Sequence, residues 1–206
     1  RIESMSGKII IGLVGEAAAG KGTVAEFLTE KFGASTHTFS KAMKDCVARL
    51  YLPLSRENLT RFSTLTREAY GQDLYARVVA KDCEADEHAI IVVDGIRLEA
   101  DMAALKGFPG FHLIYVTAPV EIRWERARKR GEKAGESDMS LEGFKKEELL
   151  PTELAIKSIG ESAEFTVPNS GDFAELYTSM ESIVAYIKAD DFDHPHPHRN
   201  VLHPKK

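Results

Sequence analysis

The segment from Lys8 to Phe32 most constrains what this chain can fold into. It begins with the apolar run KIIIGLVG, continues through the loop GEAAAGKGT and ends in KGTVAEFLTEKF, where apolar residues recur at helical spacing. A β-branched run of this kind is typical of a strand that is buried on both faces of a parallel sheet. The segment therefore predicts a strand, a tight loop and a helix, which together open a β-α-β unit.

The rest of the chain alternates between predicted strands and predicted helices. The further strands are predicted at residues 35–40, 89–97, 111–119 and 163–171. Because parallel strands need crossover connections, this order predicts one α/β domain over residues 5–190, with a mainly parallel sheet of about five strands and helices on both faces. Residues 41–87 are predicted to form a helical insertion, and the His- and Pro-rich residues 191–206 a flexible tail.

Charge, cysteine content and hydropathy exclude several classes of protein. The chain has 27 basic and 32 acidic side chains and a net charge of −5, which argues against a general nucleic-acid-binding role. Two cysteines, Cys46 and Cys83, are too few for a disulfide framework or a Cys-rich zinc site. The longest strongly apolar stretch, Ile9 to Val14, is far shorter than the roughly 20 residues that span a membrane. We therefore expect a protein of the reducing cytoplasm without a membrane partner.

The loop after the first strand has the composition of a phosphate-binding loop. Gly15 and Gly20 permit backbone conformations that a Cβ would obstruct. Successive backbone N–H groups can then form an anion-binding nest, to which the helix N-terminus adds partial positive charge. Lys21 supplies a mobile charge for the outer phosphates. The residues predicted to bind the nucleotide here are Gly15, Glu16, Ala17, Ala18, Ala19, Gly20, Lys21, Gly22, Thr23 and Val24.

The pattern G-x-x-x-x-G-K-G-T resembles the loop of the P-loop nucleoside monophosphate kinases, adenylate kinase above all. The chain as a whole is similar both to these and to dephospho-coenzyme A kinases. The resemblance implies a three-layer P-loop kinase fold. In this fold, residues 41–87 would form the acceptor-binding insertion, and the region of about residues 127–150 would form a short lid. It also implies ATP and Mg²⁺ as cofactors. In that family the metal is held largely through waters, in keeping with Gly22 at the position where other P-loops have Ser or Thr.

The sequence VVDGIR places a carboxylate at the end of a predicted buried strand. Asp94 would lie at the carboxyl edge of the sheet, where ligand groups of parallel sheets are placed. There it can order the water shell of Mg²⁺ beside the phosphates. Arg97 can bind a phosphate bidentately. The segment resembles the D-G-F-P-R segment of the same kinases, which implies that Arg97 holds the phosphate of the acceptor.

Four arginines follow the fourth predicted strand in EIRWERARKR. Helical geometry places Arg123, Arg126 and Arg130 along one face, with Arg128 turned away. The cluster resembles the start of the lid in nucleotide kinases, where arginines neutralise the transferring phosphoryl group. We therefore predict Lys21, Asp94, Arg97, Arg126 and Arg130 as the catalytic set.

Weaker patterns indicate an acceptor site and a base-binding loop. TFSKAMK resembles the start of the acceptor site in these kinases and adds Ser40 and Lys44, while LTREAYGQDLYAR adds Arg67. A plain amphipathic helix is the alternative interpretation of the second segment. VPNSG resembles the loop that flanks the adenine base, which implies a contact from Asn169, although Asn169 could equally be a turn residue.

The sequence leaves three functions open. A kinase that acts on a hydroxyl needs a carboxylate to accept the proton, whereas a nucleoside monophosphate brings an ionised oxygen. Ser40 and Lys41 stand where hydroxyl-directed kinases of this kind have an aspartate, with Asp45 a turn later. This favours an ATP-dependent nucleoside monophosphate kinase over a dephospho-coenzyme A kinase or another hydroxyl-directed kinase. A non-catalytic nucleotide-binding module is the third alternative. In each of the kinase interpretations, the acceptor is a small molecule.

Overall fold

The computed structural model describes residues 8–131 and 136–193, which form a three-layer α/β fold. The strands are β1 (Ile9–Val14), β2 (Ser35–Thr38), β3 (Ile90–Asp94), β4 (Phe111–Thr117) and β5 (Phe165–Pro168). The helices are α1 (Lys21–Phe32), α2 (Phe39–Arg49), α3 (Arg56–Tyr70), α4 (Leu74–Ala85), α5 (Glu99–Leu105), α6 (Val120–Arg130), α7 (Leu141–Glu147), α8 (Pro151–Glu161) and α9 (Phe173–Asp193). A short 3₁₀ helix covers Glu136–Asp138.

The five strands form one parallel sheet in the order β2-β3-β1-β4-β5. The predicted fold class is therefore confirmed, including the number of strands. The observed strands are shorter than predicted at their carboxyl ends, because the last predicted residues turn into loops or helices. The order places β1 in the centre, so that the loop after β1 lies between the ends of β3 and β4.

Side chains that alternate along β1 build the two hydrophobic cores. Ile9, Ile11 and Leu13 pack in the core on the side of α1 and α9. Ile10 and Val14 pack in the core on the other side, which includes residues of α4, α5 and α8. Full burial of such a side chain contributes about 1.5–3 kcal/mol. These two cores explain why β1 is apolar at nearly every position.

The predicted insertion between β2 and β3 is helical, as α2, α3 and α4. The polar segment after β4 consists of α6, the 3₁₀ helix and α7, with residues 132–135 outside the described part of the chain. Helix α9 extends to Asp193, so it includes three residues that the sequence assigned to the tail. Residues 194–206 lie outside the described residues. Within the described ranges, no helix is both long and apolar enough to cross a membrane.

Candidate active site

The loop between β1 and α1 has the close backbone packing that its glycines predict. A Cβ at Gly15 would collide with the carbonyl oxygen of Val116 in β4. Gly20 precedes α1 with φ 105°, a left-handed conformation that favours glycine. Ala18 also has a positive φ, 58°, although it carries a side chain. The loop is thus close to β4 at its first glycine and close to the Asn169 side chain at Gly20.

Two side chains from outside this loop bind to it. The side-chain amide of Asn169 donates to the carbonyl oxygen of Ala19 at 2.8 Å, and its backbone N–H donates to Thr117 O at 2.7 Å. The hydroxyl of Tyr115 donates to Oε1 of Glu16. Both Asn169 and Glu16 are buried, with 4% and 9% of their surfaces exposed. Asn169 therefore contacts the phosphate loop itself, while its predicted base contact remains a prediction.

Lys21 folds back over the loop. Its ammonium donates to the carbonyl oxygens of Gly15 at 2.7 Å and of Glu16 at 3.2 Å. Burial lowers the pKa of Lys21; the nearby charge of Asp94 opposes this, and that of Arg97 adds to it. The carboxylates of Glu153 and Glu16 oppose the lowering as well. Lys21 therefore lies among the charged groups of the site, while its predicted contact with the phosphates remains a prediction.

The remaining loop residues differ in what they can offer a ligand. Ala17 is half-buried, Gly22 is exposed and Thr23 is half-buried. Val24 is fully buried, and its N–H donates to Gly20 O at 3.1 Å. The Val24 side chain thus packs in the core and its N–H is used by the first turn of α1, while its predicted nucleotide contact remains a prediction.

Asp94 lies at the carboxyl end of β3, beside Leu13 of β1 and Thr38 of β2. Its Oδ1 is buried and has no hydrogen-bond partner among the described residues. A buried carboxylate oxygen without a partner is costly unless a ligand, ion or water compensates it. The donor type and the position fit a water-mediated contact to Mg²⁺.

Arg97 follows Asp94 in an exposed position. Its backbone N–H, like that of Leu98, donates to Oδ2 of Asp101, at 3.2 and 3.1 Å respectively. Asp101 is itself 2% exposed. The buried carboxylate thus fixes the backbone of Arg97, while the exposed side chain is near enough to Lys21 for its charge to lower the pKa of Lys21.

The arginines of α6 have different roles from one another. Arg123 is 5% exposed; its Nε donates to Ala118 O at 2.8 Å, and it pairs with Glu148 beyond α7. Arg126 is half-buried, and its Nη1 is buried without a hydrogen-bond partner among the described residues. Arg130 is exposed and makes interactions of its own. Arg123 therefore joins α6 to the lid segment, and its Nη1, like that of Arg126, is buried without a hydrogen-bond partner among the described residues.

The predicted acceptor residues are spread over the insertion. Ser40 Oγ lies 3.4 Å from Thr38 Oγ1 at the start of α2, and Lys44 is exposed on the same helix. The guanidinium of Arg67 binds Asp101 at 3.4 Å and the carbonyl of Gln72, and it lies 5.0 Å from the centre of the Tyr75 ring. Arg67 is therefore held in place by the fold, and only the N–H groups that these two bonds do not use could bind a substrate.

One carboxylate near the loop had no signal in the sequence. Glu153, in the first turn of α8, lines the same small cavity as Ala17 of the phosphate loop. It follows Thr23, the last residue of the phosphate loop, by 130 positions and belongs to no recognisable motif. Only the packing of α8 against β1 and β4 brings it close to the loop.

Known proteins share this architecture. A relative from Archaeoglobus fulgidus, named UPF0200/UPF0201 protein, is 32% identical over 179 residues, which are 85% of this chain and 54% of that protein. The chain thus spans about half the length of this relative. Shikimate kinase from Acinetobacter baumannii in complex with shikimate is 16% identical, with a TM-score of 0.54 over 92% of this chain and 98% of that one. A gluconokinase from Sinorhizobium meliloti 1021 is 15% identical, with a TM-score of 0.55 over 92% and 99%.

At these identities, the two structures establish the fold alone, and they confirm the predicted resemblance to P-loop kinases. The family model described as AAA domain matches residues 11–150. The match includes the phosphate loop, Asp94 and the arginines of α6. The chain therefore belongs to the AAA domain family and has the fold of a P-loop kinase.

Proposed function

We propose that this protein is an ATP-dependent phosphotransferase that transfers the γ-phosphoryl group of ATP to the phosphate of a (deoxy)nucleoside monophosphate. One observation carries the proposal: charged side-chain atoms in the loop, in β3 and in α6 are buried without hydrogen-bond partners among the described residues, namely Oε2 of Glu16, Oδ1 of Asp94, Nη1 of Arg123 and Nη1 of Arg126. Such atoms are costly unless a ligand compensates them, and a nucleotide phosphate with its metal supplies both charges that are needed.

The residues of the chain divide between donor, metal and acceptor. Lys21 and the N–H groups of the loop hold the phosphates of ATP. Asp94 orders the waters around Mg²⁺, and the bound metal would neutralise charge on the phosphates. Arg97 holds the acceptor phosphate, and Arg126 with Arg130 stabilises the charge on the transferring group.

The surroundings of β2 support a phosphate acceptor rather than a hydroxyl. A hydroxyl needs a carboxylate that accepts its proton, whereas the phosphate of a nucleoside monophosphate is already ionised. Asp45, the nearest carboxylate after β2, has a side chain 63% exposed and pairs with Lys41 at 2.7 Å on the surface of α2. It is therefore poorly placed to act as a base, and Ser40 and Lys44 instead provide polar and cationic groups for an acceptor phosphate.

A second candidate is a hydroxyl-directed kinase, of the dephospho-coenzyme A kinase kind or for another small molecule. Glu153 favours it, because its carboxylate lies beside Ala17 and its charge acts on Lys21. The names of the shikimate kinase and the gluconokinase that share this fold point in the same direction. In this candidate, Glu153 would accept the proton of the acceptor hydroxyl.

A panel of acceptors with coupled detection of ADP tests the proposal. We expect phosphorylation of one or more nucleoside monophosphates and a loss of at least about a hundredfold in Lys21→Met, since Lys21 contacts the transferred charge. Lys31→Met is the matched control, because Lys31 is exposed on the same helix and pairs with Glu181 at 2.9 Å. Full activity of Lys21→Met would contradict the proposal.

The same panel separates the alternatives. Turnover of a hydroxyl acceptor that Glu153→Gln abolishes would establish the second candidate. Tight binding of ATP with no transfer to any acceptor would indicate a nucleotide-binding module without catalytic activity.

A further inference from the structure

The phosphate loop is unusually poor in glycine between its first and last residues. Positions 16–19 read Glu-Ala-Ala-Ala, and Ala18 adopts φ 58°, which side chains disfavour. A residue in such a conformation persists only where its surroundings determine the backbone. Besides the bonds within the loop, such as that from Ala19 N–H to Glu16 O at 3.2 Å, contacts from outside the loop help to set its shape.

The first such contact comes from the residues after β5. Asn169 is tied to β4 by its backbone N–H, which donates to Thr117 O at 2.7 Å, and its amide donates to Ala19 O at 2.8 Å. A trans peptide directs its C=O and N–H to opposite sides. When the carbonyl of Ala19 points to Asn169, the N–H of Gly20 therefore points away from Asn169. Asn169 thus sets the orientation of one peptide of the loop.

The second contact comes from β4 on the other face of the sheet. Tyr115 belongs to the core that contains α8, whereas Ala19 belongs to the core that contains α1 and α9. The Tyr115 ring packs closely on Gly160 of α8, where an added Cβ would lie 2.6–2.8 Å from ring atoms. Its hydroxyl donates to Oε1 of Glu16, and burial and this bond raise the pKa of Tyr115 to about 12, so that it remains a donor.

We propose that Asn169 and Tyr115 are positioning residues that clamp the phosphate loop from both faces of the sheet into its anion-binding shape before a nucleotide arrives. This inference rests on the proposed function, in which the loop binds the phosphates of ATP. It predicts that Asn169 supports binding of the phosphates and does not recognise the base.

Calorimetric titration with ATP, GTP and inorganic tripolyphosphate, each with Mg²⁺, tests the role of Asn169. We expect Asn169→Ala and Asn169→Asp, which both lack the amide donor, to weaken all three ligands by the same factor, about tenfold or more. The ratio of ATP to GTP affinity stays unchanged. Asn58→Ala, on the exposed helix α3, is the matched control. A loss for ATP alone, with tripolyphosphate unaffected, would overturn the inference, as would unchanged affinity for all three.

A pair of variants separates positioning by Tyr115 from a purely structural role. Tyr115→Phe leaves Glu16 without its donor and lowers both stability and tripolyphosphate affinity. The double variant Tyr115→Phe with Glu16→Ala removes both partners, which restores much of the stability. We expect its tripolyphosphate affinity to remain low. The reference is Glu16→Ala alone, because removing this carboxylate from the loop by itself favours an anion. Affinity of the double variant equal to that of Glu16→Ala would show that Tyr115 has no positioning role.

Hydrogen exchange of the ligand-free protein distinguishes failure of the clamp from failure of the proposed function. The clamp predicts that the amides of residues 16–20 exchange faster in Asn169→Ala than in the wild type, while those of β3 are unchanged. If the wild type binds none of the three ligands, the proposed function is wrong, and this exchange experiment still decides the clamp. Equal exchange in the two proteins would overturn the clamp.

Discussion

Gly20 and Gly22 lie two positions apart and differ in what a side chain would meet. A Cβ at Gly20 would collide with the Asn169 amide, and the residue has φ 105°, whereas a Cβ at Gly22 has no heavy atom within 4 Å. We expect Gly20→Ala to destabilise the ligand-free protein by about 1–3 kcal/mol through strain. Gly22→Ala should stabilise it by about 0.5–1 kcal/mol, because Gly22 lies in the first turn of α1.

Urea denaturation of the two glycine variants without nucleotide measures both effects. Each variant adds one methyl group, and the two positions lie close together in the chain. Each variant therefore serves as a control for the other. Equal changes in the free energy of unfolding would contradict the difference in their surroundings.

Lys21 is expected to lower the stability of the ligand-free fold. Burial lowers its pKa from the ordinary value of 10.5, so the folded state binds this proton less tightly than the unfolded state. Stability of the wild type should then rise with pH from the lowered folded pKa up to about 10.5. We expect Lys21→Met to be more stable than the wild type at pH 7, with an advantage that shrinks as the pH approaches that value.

Unfolding free energies of both proteins at a series of pH values test this expectation. Lys31→Met provides the comparison, since it removes an exposed lysine of the same helix. A gap between Lys21→Met and the wild type that widens as the pH rises would contradict the sign of the effect.

Between elements, a buried carboxylate joins the end of α4 to β2. Asp86 accepts hydrogen bonds from His37 of β2 at 2.7 Å and from the ring and backbone of His88 at 2.6 and 2.9 Å. Burial alone would raise the pKa of Asp86, but the hydrogen bonds that it accepts outweigh burial and hold it below the ordinary value of 3.8. We expect Asp86→Asn to cost about 1–3 kcal/mol at pH 7, because bonds to a buried charge are lost.

The lowered pKa of Asp86 also predicts how its contribution to the free energy of unfolding changes with pH. Its contribution is complete above about pH 3.8 and is lost as the pH falls through the lower folded value, so the wild type and Asp86→Asn should converge in acid. Asp82→Asn is the control, because it removes an exposed aspartate of the same helix, α4. A constant gap between wild type and Asp86→Asn down to low pH would contradict this account.

Helix α3 shows where a pattern predicts an element but not its packing. Its apolar residues recur at helical spacing, so a helix was predictable, and Ser55 caps it by accepting from the N–H of Asn58 at 3.2 Å. None of its described residues is buried, however, and Leu65 and Tyr70 are largely exposed. Amphipathic spacing indicates which face can be buried, whereas the neighbouring elements decide whether it is.

At the scale of the molecule, stability should be distributed unevenly between the sheet and the insertion. The strands β1, β3 and β4 are fully or mostly buried, while α3 buries no residue. Elements with few buried apolar contacts open at lower free energy. We expect hydrogen exchange of the ligand-free protein to show the least protection in α3 and the most in β1. Protection of α3 equal to that of β1 would contradict the expectation and indicate packing that this structure lacks.

The sequence by itself determined the order of strands and helices, the phosphate loop and the positions of Lys21 and Asp94. These features depend on contiguous residues, because backbone propensity and the alternation of apolar side chains act over a few positions. Only the tertiary structure decided that Asn169 binds Ala19, that Tyr115 binds Glu16, that Arg123 is buried and that Glu153 lies beside the loop. Such contacts join residues far apart in the chain and depend on how strands pair and helices pack, which local spacing does not encode.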